Sequence, residues 1–576
     1  MQLHALSALF ATLVFASSAT AAPSHSSSSS PYVKDGAPIV DLGKYGKWKG
    51  TVQNNGTVHA WKAIPYAAPP VGDLRFKAPR PLAKQNSTLQ DVSADFDGQP
   101  TACVQFGDED WSGPNAGPGG EDCLKLWIWA PAGAKEGDKL PVQVWSHGGG
   151  MQNGQSPKSD YSDWVGQDKG FIAVNANYRL GLLGFWNSES STHENEPGNV
   201  GLLDSRFAVD WVKKNIHKFG GDPNNLAISG QSGGGGAIMT QLILYDGKKP
   251  NFEKAIPRSI QQYSAYPLKD LTPRNDAFAA LVNCTDSAAT KEGAKKQLAC
   301  MRKVPAETIR VVSLQFKETK DDQGFSWPGW LPAIDGKSLT DQPSRLFRSG
   351  KIAKVPVLSA HTTNEIVRLI PHPNSNFTRL AETTIGPLVT PELVSELERI
   401  YPAPSVNASK DTNTYSNADE RGYAIYDDNL SVGGAFMVST GVAAAGLPSY
   451  LARFNSPTGE YPAWMGTPHS ADNYYLQNAT ATMNSTQADL AHEWRAYLSS
   501  FMKHNDPNPE RLPTSPKWLP ASTDFRYLPR MVVSLQLGSS ANLSSPTTSG
   551  MEITPANEWD RHAWWLSDEV TKLSRQ

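Results

Sequence analysis

Residues 225–234 read Asn-Leu-Ala-Ile-Ser-Gly-Gln-Ser-Gly-Gly, a short apolar run that ends in a Gly-x-Ser-x-Gly turn around Ser232. Small residues, Gly-Gly-Ala-Ile-Met, continue the run over 235–239. This order predicts a strand, a sharp turn and a helix, the arrangement that presents a serine hydroxyl at the edge of a sheet. Glycines suit both flanks because such a turn is strained and its strand and helix nearly touch. A glycine-rich loop with a serine is also common without catalysis, so further stretches are needed to interpret it.

The composition is that of a globular protein. The chain has 576 residues, of which 39% are hydrophobic and 19% charged, and its formal net charge is −3. These fractions are typical of a chain with a large hydrophobic core. The length allows two to four domains, although large α/β enzymes often form one unit. A nearly neutral chain gives no electrostatic reason to expect nucleic acid or an anionic membrane as a partner.

The first residues have the features of a secretory signal peptide, which we assign to 1–21. The apolar run over 6–16 is too short to span a bilayer, and the small residues at 19–21 offer a cleavage site. The segment ahead of the run lacks Lys and Arg, which is a departure from the usual signal. A flexible serine-rich spacer is predicted over 22–38. Later segments are too polar to cross a membrane and the last residues form no apolar tail, so we expect a secreted, extracellular protein without a membrane anchor.

Nine Asn-x-Ser/Thr sequons fit that compartment and predict N-linked glycans. A single sequon is often left unmodified, but nine behind a signal peptide indicate heavy glycosylation. The sequons lie at Asn55, Asn86, Asn283, Asn376, Asn407, Asn429, Asn478, Asn484 and Asn542.

Four cysteines form an even set that an oxidising compartment would pair. Four cysteines allow three connectivities. We expect the local pairing, Cys103 with Cys123 and Cys284 with Cys300, which closes two short loops. Metal ligation is the alternative, and the absence of a Cys-x-x-Cys motif or a nearby pair of histidines counts against it. We therefore predict no metal site.

A second glycine-rich loop lies upstream of the elbow. An apolar strand predicted over 141–146 leads into His147-Gly148-Gly149-Gly150. Acyl transfer needs backbone N–H donors that point at a developing oxyanion, and glycines let a substrate approach that backbone. A flexible turn is the alternative. The position after a strand and before the elbow is the one that an α/β-hydrolase requires.

Two stretches carry a family resemblance. Residues 64–76 read Ile-Pro-Tyr-Ala-Ala-Pro-Pro-Val-Gly-Asp-Leu-Arg-Phe, and residues 121–129 read Glu-Asp-Cys-Leu-Lys-Leu-Trp-Ile-Trp. Both resemble the type-B carboxylesterase/lipase family, the cholinesterase-like branch of the α/β-hydrolases, in its secreted, fungal type. The resemblance implies an α/β fold with a large, mostly parallel central sheet and helices on both faces, and it implies no cofactor. It also implies a Cys103–Cys123 bridge and an ion pair between Arg75 and Glu121.

A third stretch extends the resemblance across the elbow. Residues 199–223 resemble the family's "NxGLxDQRxALxWVxxNIxxFGGDP" segment, and the helix predicted there ends at Gly220-Gly221. By resemblance, Gly149 and Gly150 donate to the oxyanion together with the N–H of Gly233, while His147 braces the loop. The family mostly has Glu and Ala where this chain has Gln231 and Gly233. The first change removes a carboxylate near the site, and the second keeps the backbone donor.

The triad acid is expected in a loop after a late strand. Residues 354–360 read as such a strand, matching the family's "VPVLxG", and Glu365 follows it, so Glu365 is the candidate acid. The family usually has Gly after this Glu, and Ile366 stands here instead. An exposed glutamate without a role is the alternative. The chain order of a serine, an acid and then a histidine is that of α/β-hydrolases.

Five histidines follow Glu365 and qualify by order as the base. Residues 465–472 precede an aromatic run and resemble the family's "HGxExxYVF" around His469, with Ser470 and Asp472 replacing Gly and Glu, so His469 is our candidate. Ser264 is a candidate for the position behind the base, or an ordinary loop serine. The other histidines are His372, His492, His504 and His562.

The resemblance covers roughly residues 40–570 and implies a single domain over 39–576. We predict a serine hydrolase of carboxylic esters whose partner is a small-molecule ester. The loop over 104–122 is acidic and rich in Gly and Pro, without the apolar stripe of a lipase lid, which favours an esterase over an interfacial lipase. Trp111 in that loop lines the substrate entrance or packs as an ordinary tryptophan. A non-catalytic binding relative is the remaining alternative, and the complete triad argues against it.

Overall fold

The structure is a computed structural model of the chain. The residues it describes are 33–34, 36–84, 89–91, 102–106, 118–193, 196–316, 330–370, 372–373, 376–386, 389–405, 415–522, 527–534 and 549–574. The predicted signal peptide, Trp111 with most of its loop, and the sequons at Asn86, Asn407 and Asn542 lie outside these residues.

The strands form one large and one small sheet. In chain order they are β1 Val33–Lys34, β2 Ala37–Asp41, β3 Lys47–Lys49, β4 Thr51–Gln53, β5 Val58–Pro65, β6 Leu89–Asp91, β7 Lys125–Pro131, β8 Leu140–Ser146, β9 Ile172–Ala176, β10 Gly221–Gln231, β11 Lys254–Arg258, β12 Val357–Thr362, β13 Ser449–Asn455, β14 Pro529–Ser534 and β15 Gly550–Ile553. Val33 pairs with Pro38 and Lys34 with Ala37. Part of the predicted spacer is therefore wrong, because its last residues pair as strands.

The helices lie between these strands and after the last of them. In chain order they are α1 Ser162–Asp168, α2 Gly181–Gly184, α3 Glu189–His193, α4 Val200–Asn215, α5 Gly233–Ile243, α6 Leu268–Leu281, α7 Lys291–Met301, α8 Ala306–Gln315, α9 Pro343–Arg348, α10 Phe377–Ile385, α11 Pro391–Ile400, α12 Ala418–Asp427, α13 Gly433–Ala444, α14 Ala471–Gln477, α15 Ser485–His504, α16 Ala556–Trp565 and α17 Asp568–Ser574. The helix predicted before the elbow is α4, and a 3-10 turn over Ile216–Phe219 carries it to Gly220, whose φ is 93°.

The large sheet has eleven strands in the order β15-β14-β13-β12-β11-β10-β8-β9-β7-β5-β4 among the described residues. Its central strands, from β14 to β9, run parallel, and antiparallel pairs close both edges. Parallel strands end at the same edge of a sheet, so the loops after β8, β10 and β12 meet there. The predicted α/β fold with a mostly parallel sheet is confirmed.

Both faces of this sheet are covered. Leu226 and Ile228 of β10 face one apolar cluster together with Leu242 of α5. Ala227, between them, faces a second cluster together with Trp494 of α15. Successive side chains of a strand point to opposite faces, and a parallel strand buried on both faces must be apolar throughout. That requirement explains the continuous apolar run that precedes Ser232.

Two disulfides join Cys103 to Cys123 and Cys284 to Cys300, the local pairing that the spacing suggested. Beside the first, Arg75 and Glu121 form the implied ion pair, with Nη2 2.6 Å from Oε2. Within the described part of the chain, each helix is too short or too polar to cross a bilayer.

Candidate active site

Ser232 lies on a strained turn between β10 and α5. Its φ is 61° and its ψ is −126°, a conformation that non-glycine residues rarely adopt. Backbone hydrogen bonds hold the turn: Ser232 N donates to Arg258 O (3.1 Å), and Ser232 O accepts from Gly236 N (2.9 Å) and Gln261 N (3.1 Å). Ser232 is partly exposed between buried neighbours, so its hydroxyl is accessible at the sheet edge.

Glycines are required around Ser232 because neighbouring backbone segments approach these positions closely. A Cβ atom at Gly230 would lie 2.4 Å from Gly234 O, and one at Gly234 would lie 2.0 Å from Ser146 O at the end of β8. Both distances are shorter than any van der Waals contact, so a larger residue would force the strand, the helix or the loop apart. The strand, turn and helix predicted from the sequence are the arrangement observed.

The loop after β8 places backbone amides beside the elbow. Gly149, Gly150 and Met151 have φ values of 107°, 65° and 58°, and Gly149 O accepts from Gln152 N and Asn153 N. A Cβ atom built on Gly233 would lie 2.9 Å from Gly150 N and 2.7 Å from Met151 N. The structure thus places the amide nitrogens of Gly150 and Met151 close to Gly233. Met151 is not part of any motif, although it follows the glycine run directly.

His147 supports this loop from within. Its ring stacks on Tyr178 with centroids 4.7 Å apart, its Nδ1 lies 2.8 Å from Gly148 O, and Tyr178 Oη donates to His147 O (3.0 Å). Burial lowers the pKa of His147 from its usual value to about 4. The ring is therefore neutral near pH 7, and its contacts lie within the loop and with Tyr178.

Glu365 and His469 form a hydrogen-bonded pair. His469 Nδ1 lies 2.5 Å from Glu365 Oε2, and Glu365 Oε1 accepts from Thr362 N (2.7 Å). Glu365 is fully buried. Burial opposes its ionisation, but the charge and hydrogen bond of His469 and the Thr362 N–H outweigh that effect and hold the pKa of Glu365 below its usual value. A buried carboxylate on Nδ1 fixes the imidazole with Nε2 as the acceptor, which is the form a general base needs.

The loops that carry this pair are tied to each other. His469 N donates to Glu365 O (3.3 Å) and Asn364 N to Thr467 O (3.0 Å), while Thr467 N donates to Asn364 Oδ1 (3.0 Å). These bonds set the distance between acid and base through backbone groups. The residue after Glu365 has its own partner, because Ile366 N donates to Asp427 Oδ1 (2.6 Å) at the end of α12.

Asp427 is a second carboxyl group, close to that of Glu365. Desolvation and, after it, the neighbouring Glu365 carboxylate raise the pKa of Asp427 well above its usual range. No sequence motif marks this residue, because it comes from a helix, Ala418–Asp427, outside the motif stretches.

The Nε2 edge of His469 faces the elbow. Its Nε2 lies 3.1 Å from Nε2 of Gln231, the residue before Ser232, and this is the hydrogen bond that Nε2 makes among the described residues. His469 Nε2 thus contacts the elbow at the residue next to Ser232, and among the described residues it makes no hydrogen bond to the Ser232 hydroxyl. Such bonds are often long in free enzymes and tighten when substrate binds.

A sequence model described as the carboxylesterase family matches residues 37–540. This chain belongs to the carboxylesterase family. The resemblance stated from sequence motifs is confirmed, and the chain is by class a carboxylic ester hydrolase.

Similar proteins cover most of this carboxylesterase. It is 29% identical over 519 residues to Secreted lipase 4 of Gibberella zeae, a match that spans 85% of this chain and 88% of the relative. It is 32% identical over 323 residues to the para-nitrobenzyl esterase of Bacillus subtilis, spanning 56% of this chain and 62% of that protein. A crystal structure of Aspergillus niger EstA superposes with a TM-score of 0.77 at 25% identity, over 94% of this chain and 99% of that one.

The other histidines that qualified by order lie elsewhere in this carboxylesterase. His372 and His492 are exposed, His504 pairs with Glu510, and His562 is buried between Asp428 and Glu558, 3.7 Å from each. Ser264 donates to Ser574 O (2.6 Å) instead of supporting the base. Among the described residues, no three His, Cys, Asp or Glu side chains come together as a metal site.

Proposed function

We propose that this carboxylesterase is a secreted serine hydrolase that cleaves carboxylic esters through an acyl-enzyme on Ser232. The observation that carries the proposal is the buried Glu365–His469 pair, whose Nε2 edge faces the strained turn that bears Ser232. Family membership supports the reaction class, and the geometry supports the assignment of roles.

In this proposal Ser232 Oγ attacks the acyl carbon while His469 Nε2 takes its proton. Glu365 holds the imidazole tautomer and stabilises the imidazolium that forms. The amides of Gly149, Gly150 and Gly233 are the proposed donors to the oxyanion, and Met151 N lies close enough to join them. The protonated His469 then delivers its proton to the leaving alcohol, and water activated by the same base releases the acid.

For the substrate we propose a small-molecule ester in solution. The loop over 104–122 is acidic and rich in Gly and Pro, a composition that does not suit an amphipathic lid. Trp111 in this loop is the proposed wall of the substrate entrance. An interfacial triacylglycerol lipase is the second candidate, since relatives named as lipases match over most of the chain.

We also propose export with cleavage after residue 21, a single hydrolase domain over 39–576, and N-linked glycans on exposed sequons. Two disulfides fit an oxidising compartment. Asn55, Asn283, Asn376 and Asn484 are exposed, as acceptor sites must be.

The test uses the full chain and a fluorophosphonate probe, with mass spectrometry to locate the label. We expect the label on Ser232, and Ser232→Ala should lower turnover of a short p-nitrophenyl ester by on the order of 10⁵–10⁶. Gly133→Ala is the matched control, because its Cβ would meet nothing within 4 Å. Labelling elsewhere, or retained turnover in Ser232→Ala, would refute the nucleophile. Strong activation by an oil–water interface would favour the lipase.

A further inference from the structure

We infer that Gln231 is a positioning residue that holds the catalytic base in its unprotonated form, and that Arg258 sets its direction through Asn473. This inference rests on the proposed function. Gln231 is buried, and its side chain spans the distance between His469 and Asn473.

The hydrogen bonds form one continuous chain. Arg258 Nη2 lies 3.0 Å from Asn473 Oδ1, Asn473 Nδ2 lies 3.2 Å from Gln231 Oε1, and Gln231 Nε2 lies 3.1 Å from His469 Nε2. Arg258 is itself fixed, since it is buried, pairs with Asp472 and lies over the Trp145 ring at 5.0 Å.

The direction of this chain follows from chemistry. A guanidinium group only donates, so the atom of Asn473 that faces Arg258 must be its oxygen. The amide nitrogen of Asn473 then donates to Gln231, which requires that Gln231 turn its own oxygen toward Asn473. The group left facing His469 is the Gln231 NH₂, a donor, because the network fixes the orientation of both amides.

A donor at Nε2 stabilises the neutral imidazole and opposes the imidazolium. Neutral His469 carries its proton on Nδ1, facing Glu365, and offers the Nε2 lone pair to Gln231. Once Nε2 is protonated, two donors face each other and this hydrogen bond is lost. A glutamate at 231, which relatives of this family mostly have, would instead attract the imidazolium.

The other charged groups around His469 act from the opposite side. Glu365 lies on Nδ1, with Asp427 behind it and His361 acting on Glu365 from β12. On the helix that follows His469, Asp472 is paired with Arg258. Glu365 therefore favours protonation of the imidazole, and Gln231 is the group at Nε2 that opposes it. The hydrogen bond from Gln231 forms only while Nε2 is unprotonated, and Gln231 must release Nε2 when the Ser232 proton is transferred.

Two variants test this role through the pH dependence of kcat/KM on a p-nitrophenyl ester and of the rate of fluorophosphonate labelling. Gln231→Glu should move the acidic limb of both profiles to higher pH by about one unit. At pH values well below the limb, the variant should therefore keep about a tenth of the wild-type rate. Asn473→Ala frees the Gln231 amide to rotate and present its oxygen to the imidazolium. It should move the limb in the same direction by less.

Ser264→Ala is the control, because it removes a partly buried hydrogen bond to Ser574 O, touches none of the three bonds of the chain and should leave the limb in place. A purely structural role would change rates at all pH values equally and leave the limb unmoved, and that result in both variants overturns the inference. Should Gln231→Glu not fold, Asn473→Ala decides alone. Absence of label on Ser232 in the wild type would instead refute the proposed function.

Discussion

Glu365 and His469 are separated by 104 residues in the chain, and their side chains are 2.5 Å apart in the structure. Neighbouring parallel strands, β12 and β13, start the two loops that carry them, and a backbone bridge between Asn364 and Pro468 joins those loops. Glu365 and His469 are thus positioned by main-chain hydrogen bonds as well as by their own contact. Replacing either side chain should leave the loops in place.

The first expectation concerns the acid. Glu365→Gln keeps an oxygen for Thr362 N but offers an amide to His469, which allows the wrong tautomer. We expect kcat to fall by about 10⁴, as amide replacement of the acid does in other serine hydrolases, with Tm little changed. Glu136→Gln, at an exposed glutamate, is the control. Steady-state kinetics and calorimetry measure both, and a variant with more than a tenth of wild-type kcat would contradict the role of Glu365.

The second expectation concerns Gly233, where the family resemblance implies alanine. A Cβ at this position would lie 2.7 Å from Met151 N and 2.9 Å from Gly150 N, so the oxyanion loop must move to accept it. We expect Gly233→Ala to lower kcat by about 10²-fold, the effect of losing one oxyanion donor. Gly133→Ala serves as the control. Full activity in Gly233→Ala would show that the loop adapts without cost.

The third concerns stability and pH. The pKa of Asp427 is raised in the folded state, so folding binds a proton that the unfolded chain has released. The resulting penalty is absent below the usual aspartate pKa and grows as pH rises toward the folded value. Asp427→Asn keeps an oxygen for Ile366 N and removes the penalty.

We therefore expect Asp427→Asn to raise Tm by roughly 1–2 °C at pH 7–8, a gain that disappears near pH 4. Differential scanning fluorimetry across this range measures it. A gain that stays constant with pH, or a loss at pH 8, would mean that Asp427 is ionised in the fold.

The fourth concerns the ion pair beside the first disulfide. Arg75 binds both Glu121 oxygens, at 2.7 and 2.6 Å, and also donates to Met301 O and Val304 O. Because this guanidinium is nearly buried, Glu121→Ala leaves it without a counter-ion and should cost about 3 kcal/mol. Glu136→Ala, which breaks an exposed pair with Lys218, should cost less than about 1 kcal/mol. Urea unfolding of both variants gives the comparison, and equal costs would rule out a structural role for the buried pair.

The fifth concerns glycans. Asn429 is 3% exposed. Its side-chain Nδ2 donates to Thr384 O, and its backbone carbonyl accepts from Gln262 Nε2. We expect this sequon to be unmodified in the folded protein, whereas exposed Asn55 and Asn283 carry glycans. Release with a peptide N-glycosidase in heavy-oxygen water converts each glycosylated Asn to labelled Asp, and peptide mass spectrometry then reads each site. An isotope label on Asn429 would contradict its burial.

Much of the fold could be predicted because the signals are local. The apolar run before Ser232, the glycines around it and the glycine loop after β8 each reflect a strand end or a close backbone approach. The spacer was partly wrong because a two-residue strand such as β1 has no periodic pattern of its own and depends on its pairing with β2.

The sequence by itself determined which residues could serve as nucleophile, acid and base, because a strained turn, a strand end and a chain order leave marks in composition and spacing. Only the tertiary structure decided that Gln231 occupies Nε2 of His469, that Arg258 directs it, and that Asp427 lies behind Glu365. Those contacts join residues as many as 242 positions apart. Hydrogen bonds act over about 3 Å, and such distances are set by the packing of the sheet rather than by any neighbouring sequence.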